Sequence, residues 1–416
     1  MKSATKLLAL GAVLSALSAT AQPAVAGEAL FDAISNGKFY IDERYRYEYV
    51  DQANRPNTAK ASTLRSRVGF KTAPFYGFMF QVEWENVRNI GDDRFNNTIN
   101  GKGTFPVVAD VESTEWNQMF LAYSGIPDTT IKVGRQVITL DNHRFIGHVG
   151  WRQNNQTYDA AKVVNTSIDG LTVSYGYIDR INRIFGNDSP NGNWDSESHF
   201  IHGAYKLPQL GVLKGYGYLL DFEDDSPANS SATYGLSLSG KRDILDGYGL
   251  HYYAEYAHQE DYADNPISYE ADYYHLALGL SKGGLKTTVG FESLGSDDGN
   301  FAFRTPLATL HKFNGFADQF LVTPAGGLED FYLDVTYKIK GYGDQWSYLN
   351  GVLLKAQYHD FSSEEGSIDY GTELDFYVKV PLRRGLYIEG KIADFNADSP
   401  AYVDVEKYTL GVGWKY

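Results

Sequence analysis

Lys407-Tyr408-Thr409-Leu410-Gly411-Val412-Gly413-Trp414-Lys415-Tyr416 closes the chain. Tyr408, Leu410, Val412, Trp414 and Tyr416 share one face at period two, and Lys407, Thr409, Gly411, Gly413 and Lys415 share the other. Successive side chains of an extended chain point to opposite sides, so this pattern specifies a strand. The same alternation recurs upstream. Leu171, Val173, Tyr175 and Tyr177 interleave with Thr172, Ser174 and Gly176, and Leu285, Thr287, Val289 and Phe291 interleave with Lys286, Thr288, Gly290 and Glu292. Tyr370 to Val380 alternates in the same way. Helical period fits none of these segments, and the fold class is all-β.

Two architectures carry such a pattern. A soluble sandwich or propeller buries one face of each strand in a dry core. A transmembrane barrel turns its apolar face to lipid and its polar face to a wet lumen. The composition favours the barrel: 32 Tyr and 6 Trp in 416 residues suit the aromatic girdles found at lipid–water boundaries. A mean hydropathy of −0.36 argues against a bundle of spanning helices, each of which needs ~20 apolar residues. A net charge of −15 argues against nucleic acid as a partner, since phosphate binding needs surplus Lys and Arg. The closing strand, ending on an aromatic residue, resembles the assembly signal of bacterial outer-membrane barrels, which implies the barrel-assembly machinery as a partner of Tyr408–Tyr416. Tyr stands where Phe is more usual.

Residues 1–26 read as a secretory signal peptide: Lys2 and Lys6 form a basic head, Leu7 to Ala21 is apolar, and Ala24-Val25-Ala26 offers a cleavage site before Gly27. Residues 27–416 then form a single barrel domain with no Cys, so neither disulfides nor a lipidated thiol are expected. Stability is expected from closure and lipid contact rather than from a dry core. Strands are expected near 39–50, 63–71, 77–86, 115–124, 129–137, 157–165, 171–178, 199–206, 211–222, 233–240, 249–258, 271–281, 285–293, 328–338, 349–359, 369–380, 386–395 and 405–416. The expectation is an antiparallel transmembrane barrel of about 18 strands, an even number as single-chain bacterial barrels require, or of 16 if 129–137 or 233–240 belongs to a loop. Asp169-Gly170, Lys282-Gly283-Gly284 and Pro381 to Gly385 read as short periplasmic turns. Segments 87–114, 141–156, 179–198, 223–232, 259–270 and 294–327 are long, and most are expected outside the cell; 87–114 and 294–327 are candidates for constricting the channel.

Charge is patterned within the strands. Arg44 and Arg46 share one face, and Arg65, Arg67 and Lys71 share another, each opposite apolar or aromatic residues. Arg or Lys facing lipid costs about 2–4 kcal/mol at the midplane, so these side chains are expected in the lumen. There they either favour anions or pair with Asp42, Glu48, Glu83 and Glu85 to brace wall and loops; both roles can hold together. Glu43 falls on the aromatic face, which suggests a strand starting later than residue 39.

Two stretches go further: Gly134-Arg135-Gln136 through Arg144-Phe145-Ile146-Gly147, Trp151-Arg152-Gln153-Asn154 and Thr157-Tyr158-Asp159-Ala160, and Thr305-Pro306-Leu307 through His311, Phe313-Asn314-Gly315, Ala317-Asp318 and Gly327-Leu328. With the closing strand, these resemble the alginate-export porin family of Gram-negative outer membranes. The resemblance implies an 18-stranded monomeric barrel in the outer membrane and matches Arg135, Arg144, Arg152 and Asp318 to charged residues of the family's solute path. The expected function is a porin passing small or acidic solutes, with uronate saccharides among them. Glu83, Glu85, Asp330, Asp334, Glu373, Asp375 and Glu389 make the lumen mixed rather than uniformly basic, which weighs against a dedicated polysaccharide exporter working with periplasmic partners. Membrane lipid and lipopolysaccharide are the surrounding partners. A barrel enzyme is the rival class, and His143, His148, His199 and His202 are its candidate residues; no Gly-x-Ser-x-Gly occurs. A metal site would draw on His199 and His202 or on the Asp-rich loops. A structural or adhesive barrel is the third alternative. No catalytic residue, cofactor or metal is expected.

Overall fold

The computed structural model describes residues 23–341, 343 and 349–416. The expected leader therefore lies outside the described residues, except that a helix, α1 (Pro23–Ser35), begins within it. Eighteen strands form one sheet: β1 (Lys38–Gln52), β2 (Ala59–Lys71), β3 (Phe78–Arg94), β4 (Ser113–Ile126), β5 (Thr129–Gln136), β6 (Thr157–Asn165), β7 (Leu171–Asn182), β8 (Asn193–Leu207), β9 (Gly211–Leu220), β10 (Ser231–Asp243), β11 (Tyr248–Asp261), β12 (Glu270–Lys282), β13 (Leu285–Leu294), β16 (Leu328–Lys338), β17 (Leu353–Ser362), β18 (Asp369–Pro381), β19 (Leu386–Ala397) and β20 (Val405–Lys415). A two-residue hairpin, β14 (Ser296–Asp297) with β15 (Phe301–Ala302), sits in the loop between β13 and β16.

Each barrel strand pairs antiparallel with its sequence neighbours, and β1 also pairs with β20, so the sheet closes without an edge. Closure is completed where Ile41 and Tyr416 exchange backbone hydrogen bonds of 3.0 and 2.9 Å. All 18 expected strands are present, 129–137 and 233–240 among them.

Parity then sorts every side chain. Val68, Leu121, Ile201, Leu236, Leu278 and Phe376 are exposed on the outer wall; such a continuous apolar surface calls for lipid rather than water. The inward face carries the charged rows such as Arg44, Arg46, Arg65 and Arg67. The helix α1, the C-terminus and the three predicted tight turns lie at one end together with the longer 339–352 connection, and the loops 95–112, 137–156 and 295–327 lie at the other, as in outer-membrane barrels. Glu43 does not mark a late start, because β1 begins at Lys38. It projects outward within the strand, and its carboxylate accepts a hydrogen bond from Ser66 Oγ at 2.6 Å.

The expectation of no dry core is overturned. Phe145 packs between Tyr216, Tyr218, Tyr273 and Phe303, and Phe320 packs on Phe361, Tyr370 and Tyr402. These belong to a buried apolar cluster inside the barrel. The long loops fold inward and lay their own aromatic residues on inward-facing ones, so apolar burial stabilises the interior as well as the wall.

Candidate functional site

Two loops fill the barrel: residues 137–156 between β5 and β6, and residues 295–327 between β13 and β16. A β-branched residue rarely adopts positive φ, yet Val149 does so, at φ 49°, and this turn aims the following carbonyls at the wall.

The wall that meets them is the arginine face of β1 and β2. Arg44 donates to Gln153 Oε1 (3.0 Å), to the Gly150 carbonyl (2.9 Å) and to the Arg152 carbonyl. Arg46 donates to the Trp151 carbonyl and to Asp110, which reaches in from the loop between β3 and β4, and its guanidinium lies 4.7 Å from the Trp151 ring centre. Arg67 pairs with Glu85, and Arg65 pairs with Asp42 at 2.6 Å. The four arginines face the lumen as their parity requires, but all are buried, Arg46 being only 2% exposed. Guanidiniums carry donors and no acceptor, so a row of them is a natural socket for a loop presenting carbonyls.

A neighbouring arc of the wall is built in reverse. Inward carboxylates of β13, β16 and β18 accept from the second loop: Glu373 from the Ala317 N–H (2.7 Å), Asp375 from the Phe316 N–H (3.0 Å), and Glu292 and Asp330 from the Asn314 amide (2.7 and 3.0 Å). Gly315 has φ 84, and a Cβ there would run into the Glu373 carboxylate, so glycine is required on both counts. The wall is cationic where a loop offers C=O and anionic where a loop offers N–H.

The loops also lock to each other. Gly147 N–H donates to the Leu307 carbonyl (2.9 Å), Arg144 pairs with Glu292 (2.9 Å) and donates to Asn314 (3.0 Å), and the Trp151 and His311 rings stack at 4.1 Å. Asp318 is the hub, meeting His311 at 2.7 Å, Lys407 at 2.7 Å and Arg152 at 3.3 Å, while Arg152 reaches Glu48 at 3.1 Å. Burial alone would raise the Asp318 carboxyl, but His311, Lys407 and Arg152 hold it well below the ordinary 3.8. The Asp110 carboxyl is lowered in the same way, burial being outweighed by Arg46 and Arg152.

The expected site residues are thus divided. Arg44, Arg46, Arg65, Arg67, Arg144, Arg152 and Asp318 come together in the lumen, as fastenings of the plug. Lys71 is exposed at the end of β2 on the side of the termini. Arg135 is not a lumen residue. It lies directly across from exposed Met119 on the outer wall, and Asp159 on β6 neutralises it at 2.7 Å. Parity from Ile131 and Val133 places it outside, a signal that positional matching overrides. Of the two expected constricting segments, 294–327 does fill the barrel, whereas 87–114 contributes less. β3 runs on to Arg94, and only the remainder of 87–114 is loop, contributing Asp110, whereas 137–156 carries most of the contacts.

Among the described residues, a cavity of about 570 Å³ is open between the plug and strands β11 to β17. Lys286, Lys312 and Lys355 line it beside Asp330, Asp334 and Tyr332. A second concavity of about 600 Å³ lies mainly on the outer wall, among Val335, Leu354, Phe376, Val378 and Leu410, where lipid would fill it. The candidate histidines are divided between the outer face and the interior, where His143 and His148 pack edge to face at 5.2 Å. His199 stacks on Tyr175 and bonds its hydroxyl at 2.8 Å on the outer face, while His202 faces inward to Asp141 at 2.9 Å. His143 lies 3.5 Å from Thr309 Oγ1, and no group of three or more metal-binding side chains occurs among the described residues.

Closed sheet, lipid-suited wall, charged interior and inward loops define an 18-stranded β-barrel of the outer-membrane porin kind. Residues 36–169 match a family described as alginate export, the family its motifs resemble, and this span includes the first of the two quoted stretches. Solved structures agree on the fold. Acinetobacter baumannii OccAB3 is 14% identical, with a TM-score of 0.72 over 92% of this chain and 100% of that one. Pseudomonas aeruginosa OccK1 (OpdK) is 11% identical, with a TM-score of 0.70 over 92% and 99%. Pseudomonas aeruginosa OccK2 (OpdF), solved in complex with glucuronate, is 12% identical, with a TM-score of 0.69 over 92% and 98%. No curated protein matches the sequence.

Proposed function

We propose that this chain is an outer-membrane channel for small polar solutes, acidic ones included, and has no enzymatic role. The observation that carries the reading is the interlocked two-loop plug, which leaves a lumenal cavity of about 570 Å³. Cavities of ~300–1,000 Å³ suit drug-sized ligands, not a polymer in transit. The lysines lining it favour acidic solutes, and the carboxylates beside them keep the selectivity moderate. Uronates are the natural first probes, given the family match and the glucuronate held by OccK2. Export through a leader cleaved after Ala26 and assembly through Tyr408–Tyr416 belong to the same proposal. The test is swelling of proteoliposomes in isosmotic solutes of graded size. Entry of glucuronate and glucose with exclusion of uronate oligomers is the expected result. Equal entry of oligomers would favour a polysaccharide path, and no entry at all would favour a structural barrel.

A further inference from the structure

We infer that α1 is an interfacial helix whose apolar face lies in the phospholipid leaflet on the side of the termini, extending the lipid-facing wall beyond the strands. This rests on the membrane reading of the barrel and goes beyond its transport role. At 3.6 residues per turn, the residues from Gly27 onward sort into three faces. Leu30, Phe31 and Ile34 form one; Glu28, Asp32 and Ser35 form the second; Ala29 and Ala33 form the third. The small face is the one already used. Ala29 and Ala33 line a cleft with Ala73, Pro74, Phe75 and Tyr76 of the β2–β3 turn, and Ala73 N–H donates to the Ala33 carbonyl at 2.9 Å.

The apolar face is left open: Leu30 is 48% exposed, Phe31 70% and Ile34 49%. Three large apolar side chains on one short helix are costly in water. Their position says what covers them. The helix runs into Gly37, which lies against the outward-facing ring of Phe70 so closely that a Cβ there would collide with it. Phe70 in turn packs on Phe39 at 4.6 Å, and Phe39 is 73% exposed on the same outer wall. The helix is therefore placed on the outside of the rim, continuous with the lipid-facing belt. Its acidic face is turned away, toward the water and headgroups that suit Glu28 and Asp32. A polar face, an apolar face and a position at the hydrocarbon boundary are the marks of an interfacial helix.

The chain has no Cys, so single-cysteine labelling is clean. Phe31→Cys, Asp32→Cys and Val68→Cys variants of the full barrel are labelled with bimane and reconstituted in vesicles of phosphatidylethanolamine and phosphatidylglycerol. Phospholipid brominated on its acyl chains is then titrated in. Val68 is on the outer wall and reports whether the barrel itself is inserted. The expected result is strong quenching at positions 31 and 68, several-fold greater than at position 32. Quenching at 68 with equal, weak quenching at 31 and 32 would overturn the helix assignment alone. A blue-shifted but unquenched label at 31 would mean a protein contact and would overturn it as well. Absence of quenching at 68 would overturn the membrane reading, and the helix assignment with it.

Discussion

Replacing Arg46 by Leu is the sharpest perturbation of the plug. The guanidinium pairs with Asp110, donates to the Trp151 carbonyl and covers the Trp151 ring. Both charged groups are almost wholly buried, so solvent screening does little to reduce the pair. Removing one partner of such a pair costs about 3–5 kcal/mol, because the other charge stays buried without compensation. If that cost falls on the seated loop, the ratio of displaced to seated plug rises by about a hundred- to several-thousand-fold, at ~1.4 kcal/mol per tenfold. Single-channel recording in a planar bilayer reads this directly, as the fraction of time spent in a high-conductance level. The Arg46→Leu channel is expected to visit that level often and the parent channel rarely. Adding Asp110→Leu removes the stranded carboxylate and is expected to recover part of the seated state, a non-additivity that marks direct coupling. Conductance histograms identical to the parent would refute the reasoning, and so would a double variant worse than the sum of its parts.

The same geometry sets other expectations. Gly315→Ala puts a methyl group into the Glu373 carboxylate at φ 84 and should unseat the second loop, read as raised conductance with the far-UV circular dichroism of the barrel unchanged. Asp110 and Asp318 are depressed acids, so their contribution is present above the ordinary 3.8 and is lost only as pH falls through their lower folded values. Burial also keeps His311 well below the ordinary 6.5, despite Asp318 beside it, so its protonation does not open the plug near neutrality. Asp110 and Asp318 should therefore release the plug only below about pH 4, read as rising conductance there; a rise near pH 6 traced to either residue by its Asn variant would contradict the assignment. Changing Lys286, Lys312 and Lys355 to Ala should shift the reversal potential in a KCl gradient toward cations, because these lysines line the open cavity. Changing Arg44, Arg46, Arg65 and Arg67 to Ala should change conductance far more than selectivity, because loop carbonyls and carboxylates already occupy them.

Much of the fold is legible because a barrel wall obeys one local rule. Period-two alternation in segments such as Leu285 to Glu292 locates each strand, and the cost of charge in lipid then assigns its faces. Tyr408 to Tyr416 fixes where the sheet closes. The strand ends are less legible. β3 continues to Arg94 and β8 begins at Asn193 because pairing continues past the lipid band, where ion pairs such as Arg180–Asp195 at 2.7 Å replace the apolar pattern. Direction follows from parity for Arg44 and Arg46, but what meets those residues does not, since the partners lie 64 to 109 residues away in loops without periodicity, whereas the Asp42 partner of Arg65 sits on the neighbouring strand and is legible. The quoted stretch around Trp151-Arg152-Gln153 carries the plug, yet its composition does not say that its carbonyls turn toward arginines. Arg135 shows the opposite case: the alternation of Ile131 and Val133 was sufficient, and the positional match to a family was misleading.

The barrel wall forms the conduit, and the two-loop plug restrains it. The most direct measurement compares single-channel conductance of the parent with that of a chain in which residues 148–153 and 309–318 are replaced by Gly-Ser linkers of equal length. The parent is expected to show small, discrete openings, and the linker variant a steady conductance several-fold larger. Equal conductance in the two, or silence in both, would contradict this.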